Sequence, residues 1–201
     1  MIVVKDAGSI CRVTLARPEK ANALTRAMLL ELRDKVQACE APILVLTGEG
    51  KVFSAGADLE EVHQGLSTDP VWEEVSGAIA EYPGLTVAAL NGTLAGGASG
   101  MAYACDIRIT VETAKFFYPV MKLGFLPQPS DPIRLAKLVG PARAKWLLMG
   151  GAKITAEEAL AWGLVDQIVP NGGLDTAVDS LVADAAAARG DHVRAIKAMF
   201  G

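Results

Sequence analysis

The sequence predicts a single α/β domain, and three observations lead there. Its 201 residues are 51% hydrophobic, enough for one full core. Short runs with strand-type apolar patterning alternate with segments of helical period. No internal repeat, linker or low-complexity tract interrupts this alternation.

Residues 2–5 and 9–16 alternate in polarity around Asp6-Ala7-Gly8 and read as a β-hairpin ended by Arg17-Pro18. Thr25 is placed to cap a helix whose apolar face is Met28, Leu29, Leu32 and Val36. Ile43 to Leu46 reads as a buried strand closed by Thr47-Gly48. Residues 52–62, VFSAGADLEEV, run from a strand end through small residues into an acidic helix start. A helix over 69–81 and a strand over 86–90 follow, and the strand turns at Asn91-Gly92. Small residues (Ala95 to Gly100) then lead into a helix-like stretch from Met101 to Ala104. Ile107–Val111 and Lys115–Phe117 read as short strands, and residues 118–130, with three prolines, as a pocket-lining loop. Asp131-Pro132 predicts a helix with an aspartate N-cap. Thr155-Ala156-Glu157-Glu158 is a capping box whose helix ends at Gly163. Leu164–Val169 reads as a strand and 174–188 as an alanine-rich helix.

Composition excludes several functions. A formal charge of −4 without a basic cluster argues against a nucleic-acid partner. Cys11, Cys39 and Cys105 are odd in number and widely spaced, and so read as thiols in a reducing compartment. Two histidines far apart, His63 and His192, make no metal motif. The N-terminus lacks a signal pattern and no apolar run nears a membrane span, which predicts a cytoplasmic protein.

The residues that carry chemistry lie at two junctions, AGAD at 55–58 and NGTLAGG at 91–97. Small residues where a strand enters a helix let another group approach the backbone, and unpaired amides there suit an oxyanion. Close helix–sheet packing is the other reading of the same text. Together the two junctions resemble the crotonase superfamily, also called the enoyl-CoA hydratase/isomerase family. RPEKANALTRAMLLEL and TAEEALAWGLVDQIVP are similar to that family's early and late segments, so the likeness spans roughly residues 10 to 185.

The resemblance implies a crotonase-like spiral of ββα turns over 1–201, a C-terminal helical extension shortened or absent, and a homotrimer or hexamer. It implies an acyl-CoA or acyl-carrier thioester as ligand and no further cofactor. The amides of Ala57 and Gly97 would form the oxyanion hole, with Ala21, Ala23, Ala55, Asp58, Leu59, Gly96, Gly100 and Val120 around the substrate. Asp58 reads equally as a helix-start carboxylate. The family's hydratases use two glutamates, and the matching positions here are Gly100 and Val120. Neither residue transfers a proton. That points away from ordinary hydration toward a decarboxylase or isomerase, with a non-catalytic acyl-CoA carrier or accessory subunit as the alternative. His63 and Asp131 are the replacement acid–base residues, each with a plainer reading as a solvated helix histidine and a helix-start aspartate. Gln128 falls, by counting, where the dehalogenase branch places its aspartate, and Ser99 and Tyr118 are possible hydrogen-bond donors.

Overall fold

The computed structural model describes residues 1–200. The chain opens with antiparallel strands β1 (Ile2–Asp6) and β2 (Ile10–Leu15), in the expected hairpin. Helix α1 (Arg26–Ala38) follows, capped by the Thr25 hydroxyl, which accepts from the Met28 amide at 3.2 Å. Met28, Leu29, Leu32 and Val36 are its buried residues, as the helical spacing requires.

From there the chain winds in repeated turns. Each turn lays a longer strand in one sheet and a short strand in a second, then a helix or loop returns it. The long strands are β3 (Ile43–Gly48), β5 (Leu85–Leu90) and β7 (Ile107–Val111), and the short ones are β4 (Val52–Ser54), β6 (Thr93–Ala95) and β8 (Lys115–Phe117). The returning helices are α2 (Leu59–Val62), α3 (Val71–Ala80), α4 (Ser99–Ala104), α5 (Val120–Leu123), α6 (Asp131–Val139) and α7 (Pro141–Leu148). Strand β9 (Lys153–Thr155), helix α8 (Ala156–Trp162), strand β10 (Gln167–Val169) and helices α9 (Leu174–Ala187) and α10 (Gly190–Lys197) complete the chain. The larger sheet has the order β1-β2-β3-β5-β7-β10 and is parallel from β2 onward; the smaller runs β4-β6-β8-β9. This is the spiral of ββα turns.

Backbones touch both within a turn and between successive turns. A Cβ on Gly48 would stand 2.6 Å from the Phe53 carbonyl oxygen, and one on Gly92 would strike the Lys51 carbonyl. Asn91 fastens the same approach: its side-chain oxygen accepts from the Gly48 amide at 3.0 Å and its amide donates to the Gly50 carbonyl at 2.9 Å. Asn22 is fully buried and donates to the Glu49 and Val52 carbonyls at 2.9 and 2.7 Å. The Asn-Gly pair thus serves the stacking of turns of the spiral.

Several expectations need correction. The loop at 118–130 contains the short helix α5, and the strand placed at 164–169 is confined to β10. The sequence reading had no β6, β9, α7 or α10, because three-residue strands and short helices carry too few residues to show a period. Asp131 is not an N-cap. Ser130 holds that position without a side-chain cap bond, and Asp131 is the first helical residue, with its side chain fully buried. The capping box at Thr155 and Glu158 and the left-handed Gly163 at the end of α8 are as expected. Cys11 and Cys105 are buried and Cys39 is half-buried, all three unpaired. No helix among the described residues is long and apolar enough to cross a membrane.

Candidate functional site

The two small-residue junctions meet in space. Gly56 adopts φ +94° and Gly96 φ +59°, both in the left-handed region open to glycine. A Cβ on Gly56 would lie 3.0 Å from the Ala95 carbonyl oxygen and 3.4 Å from the Gly96 α-carbon, so the two turns are in direct contact. Leu24 pairs with Ala57 as an isolated parallel bridge: the Leu24 amide donates to the Gly56 carbonyl and the Asp58 amide to the Leu24 carbonyl. In such a pairing the Ala57 N–H points away from Leu24, and it donates to no acceptor among the described residues. Gly97 stands in a single 3-10 turn, Gly96–Ala98, that leads into α4.

Ala57 and Gly97 both line a cavity of about 160 Å³. Its mouth is formed by Leu59, Leu123 and Leu126, which are 75%, 57% and 83% exposed. Its inner walls are Trp72, Phe117, Tyr118, Val120, Phe125 and Gln128. Among the described residues, none with a charged side chain lines it. The Trp72 indole is fixed by donation to the Leu66 carbonyl at 2.8 Å, and its ring lies where a Cβ on Gly97 would approach to 3.3 Å. The Gln128 amide donates to the Ser67 carbonyl at 3.0 Å and is tied across the same wall.

Behind that wall is Asp131. Tyr118, a residue of the cavity wall, donates its hydroxyl to Asp131 Oδ2 at 3.0 Å. Among the described residues, Oδ1 has no hydrogen-bond partner. The carboxylate lies over Gly100: a Cβ there would collide with Oδ1 and stand 3.1 Å from the carboxyl carbon. Burial pushes the carboxyl up to about 7; the bond from Tyr118 works against that rise and the negative charge of Glu73 adds to it. Glu73, on α3, is bonded to the Ser130 amide and hydroxyl, while Arg134 donates to Ser76 at 2.7 Å. Burial and Asp131 also raise the Tyr118 phenol well above its ordinary value.

The remaining predicted residues divide. Ala55, Leu59, Gly96 and Val120 line the cavity. Ala21 (φ +51°) and Ala23 lie on the neighbouring turn, where the Ala55 amide donates to the Ala21 carbonyl and Arg17 donates to the Ala23 carbonyl. Asp58 is occupied: Arg17 bonds its carboxylate at 2.7 Å, it accepts from the Glu60 amide, and the Arg17 guanidinium holds its carboxyl below the ordinary range. Gly100 does not face the cavity, because the Asp131 carboxylate fills the space beside it. His63 is exposed at the end of α2, its Nδ1 2.8 Å from the Leu59 carbonyl, and is absent from the lining. Ser99 is buried in α4. Sequence reasoning missed Trp72 as a wall of the site. Its only signal was one aromatic in an apolar helix, which reads the same for any core tryptophan.

Comparison with known proteins agrees with the fold. The family model described as Enoyl-CoA hydratase/isomerase matches residues 5–201. The 4-chlorobenzoyl coenzyme A dehalogenase-2 of an Arthrobacter species is 32% identical over 200 residues, which covers 93% of this chain and 72% of that protein. Among solved structures, an enoyl-CoA hydratase/carnithine racemase from Magnetospirillum magneticum superposes with TM-score 0.90 at 29% identity, covering 99% of this chain and 79% of that one. DspI of Pseudomonas aeruginosa gives TM-score 0.90 at 31% identity, covering 99% and 85%.

Proposed function

The chain belongs to the enoyl-CoA hydratase/isomerase family, the crotonase superfamily, and from that premise we propose that it binds an acyl thioester and stabilises its enolate. In this reading the thioester oxygen sits between the amides of Ala57 and Gly97. Negative charge grows on that oxygen as the enolate forms, so donors already in place stabilise the transition state more than the substrate. Each such donor is typically worth about 3–4 kcal/mol. The unpaired Ala57 amide supports this, as does the contact between the two turns.

The observation that carries the reading is Asp131, a buried carboxyl poised near neutrality and bonded to a tyrosine on the cavity wall. A group that titrates near 7 both gives and takes a proton efficiently at neutral pH. Tyr118 is the link: in abstraction its oxygen takes the proton from the acyl chain as its own hydroxyl proton passes to the Asp131 carboxylate, and in return it gives a proton to the enolate as Asp131 gives one back to it. Hydration needs acid and base acting together on one water, and among the described residues none that lines the cavity is a carboxylate. Isomerisation and decarboxylation each leave an enolate that needs one proton returned, which a single carrier can do. Isomerisation is the better fit of the two. A β-carboxylate would enter a lining without a cationic side chain, and an unpaired charge in such a place is costly.

The test is isotope exchange at the carbon next to the thioester, followed by mass spectrometry in heavy water, with butyryl-CoA and a 3-enoyl-CoA. Exchange and double-bond migration are expected, and Tyr118→Phe and Asp131→Asn should each lower them by about 10²–10⁴-fold. Hydration of crotonyl-CoA at rates ordinary for hydratases would sink the proposal. CoA-ester binding with no exchange would favour a non-catalytic carrier instead.

A further inference from the structure

We propose that this site, on the acyl-thioester reading above, is built for short acyl groups of roughly six carbons or fewer, and that Trp72 sets that limit. The argument begins with volume. About 160 Å³ is well under the ~300–1,000 Å³ of ordinary small-molecule pockets. It is close to the roughly 150 Å³ of an engineered apolar cavity that takes one benzene ring. The space therefore admits the acyl end of a thioester and leaves the nucleotide outside.

Burial gives the direction of entry. The mouth is leucine and open to water, whereas Trp72 is 3% exposed and Tyr118 and Gln128 are nearly as buried. A thioester held at Ala57 and Gly97 has the Trp72 ring beside it, because that ring lies against Gly97 itself and lines the same cavity. The ring cannot swing aside freely. Its N–H is bonded to the Leu66 carbonyl, and rotating it would leave a buried donor unpaired. Glycine at 97 is also what admits the ring so close, since any side chain there meets it at 3.3 Å. Among the described residues, no charged one lines the cavity to meet a polar acyl terminus, so the chemical class is a short neutral acyl group, aliphatic or a single ring.

The experiment is calorimetric titration with acetyl-, butyryl-, hexanoyl-, octanoyl- and dodecanoyl-CoA. Each buried methylene should tighten binding about fourfold while room remains. For the unaltered protein the gain should stop near six carbons. In Trp72→Ala the break should move several carbons further, and in Trp72→Phe, which keeps a ring in the core, by a smaller step in the same direction. Should Trp72→Ala fail to fold, Trp72→Phe decides alone. Steady tightening through dodecanoyl-CoA, or a break left unmoved by the variants, would overturn the proposal. Absence of binding by every CoA ester would instead refute the thioester reading on which it rests.

Discussion

Replacing Asp131 with asparagine separates the charge of this carboxyl from its shape. The folded protein holds the Asp131 proton up to about pH 7, whereas the unfolded chain releases it near the ordinary 3.8. Between those values the native state binds more protons than the unfolded state, so stability falls as pH rises. Below the lower value and above the upper one, this group adds no slope. At about 1.4 kcal/mol per tenfold change in acidity, the full window corresponds to on the order of 4 kcal/mol, of which about 2–3 kcal/mol falls between pH 5 and pH 8. The asparagine variant lacks the slope. Its amide keeps the bond from Tyr118 but leaves an unpaired donor over Gly100, which costs about 1–3 kcal/mol. The difference between the two proteins should therefore shift in favour of the variant by about 2–3 kcal/mol between pH 5 and pH 8. Urea denaturation at pH 5, 6, 7 and 8.5 with constant ionic strength measures this. Asp58 and Asp69, whose carboxyls lie below the ordinary range, contribute only at more acid pH. Parallel pH curves for the two proteins would show that Asp131 does not titrate in this window and would remove the basis for its proton-carrying role.

Gly100→Ala should destabilise by about 1–3 kcal/mol, because its methyl enters the space of the Asp131 carboxylate. A double-mutant cycle with Asp131→Ala should recover most of that loss, and additivity within about 0.5 kcal/mol would refute the contact. Asn22→Ala should cost about 2–4 kcal/mol in denaturation, since it leaves the Glu49 carbonyl and the Arg17 amide without the buried partner they now have; a loss below 1 kcal/mol would show that the stacked turns hold without it. Thr155→Ala removes the capping box of α8 and should cost about 1 kcal/mol by calorimetry, with thioester affinity unchanged.

Local chemistry determined a large part of this protein from the sequence by itself. The α1 face was legible because Met28, Leu29, Leu32 and Val36 follow a helical period and all are buried. The capping box and the Gly163 stop were legible because caps are side-chain chemistry within four residues. The two small-residue junctions were legible as places where a backbone is approached, and the approach proved to be mutual, Gly56 against Ala95 and Gly96. Only the tertiary structure decided what Asp131 does. In the sequence it stands before a proline at a helix start, and capping is the local inference. The fold instead turns it inward, since Gly100, thirty-one residues earlier, leaves a hollow and Tyr118 supplies a donor. His63 shows the reverse: close to the AGAD turn in sequence, it is carried to the surface by a helix of four residues. Trp72 became a wall of the cavity because α3 packs on α4, a meeting that no pattern within either helix encodes. Periodicity and capping act over a few residues and can be read along the chain. Which carboxylate is desolvated, and which ring closes a cavity, depends on what distant turns of the spiral bring alongside.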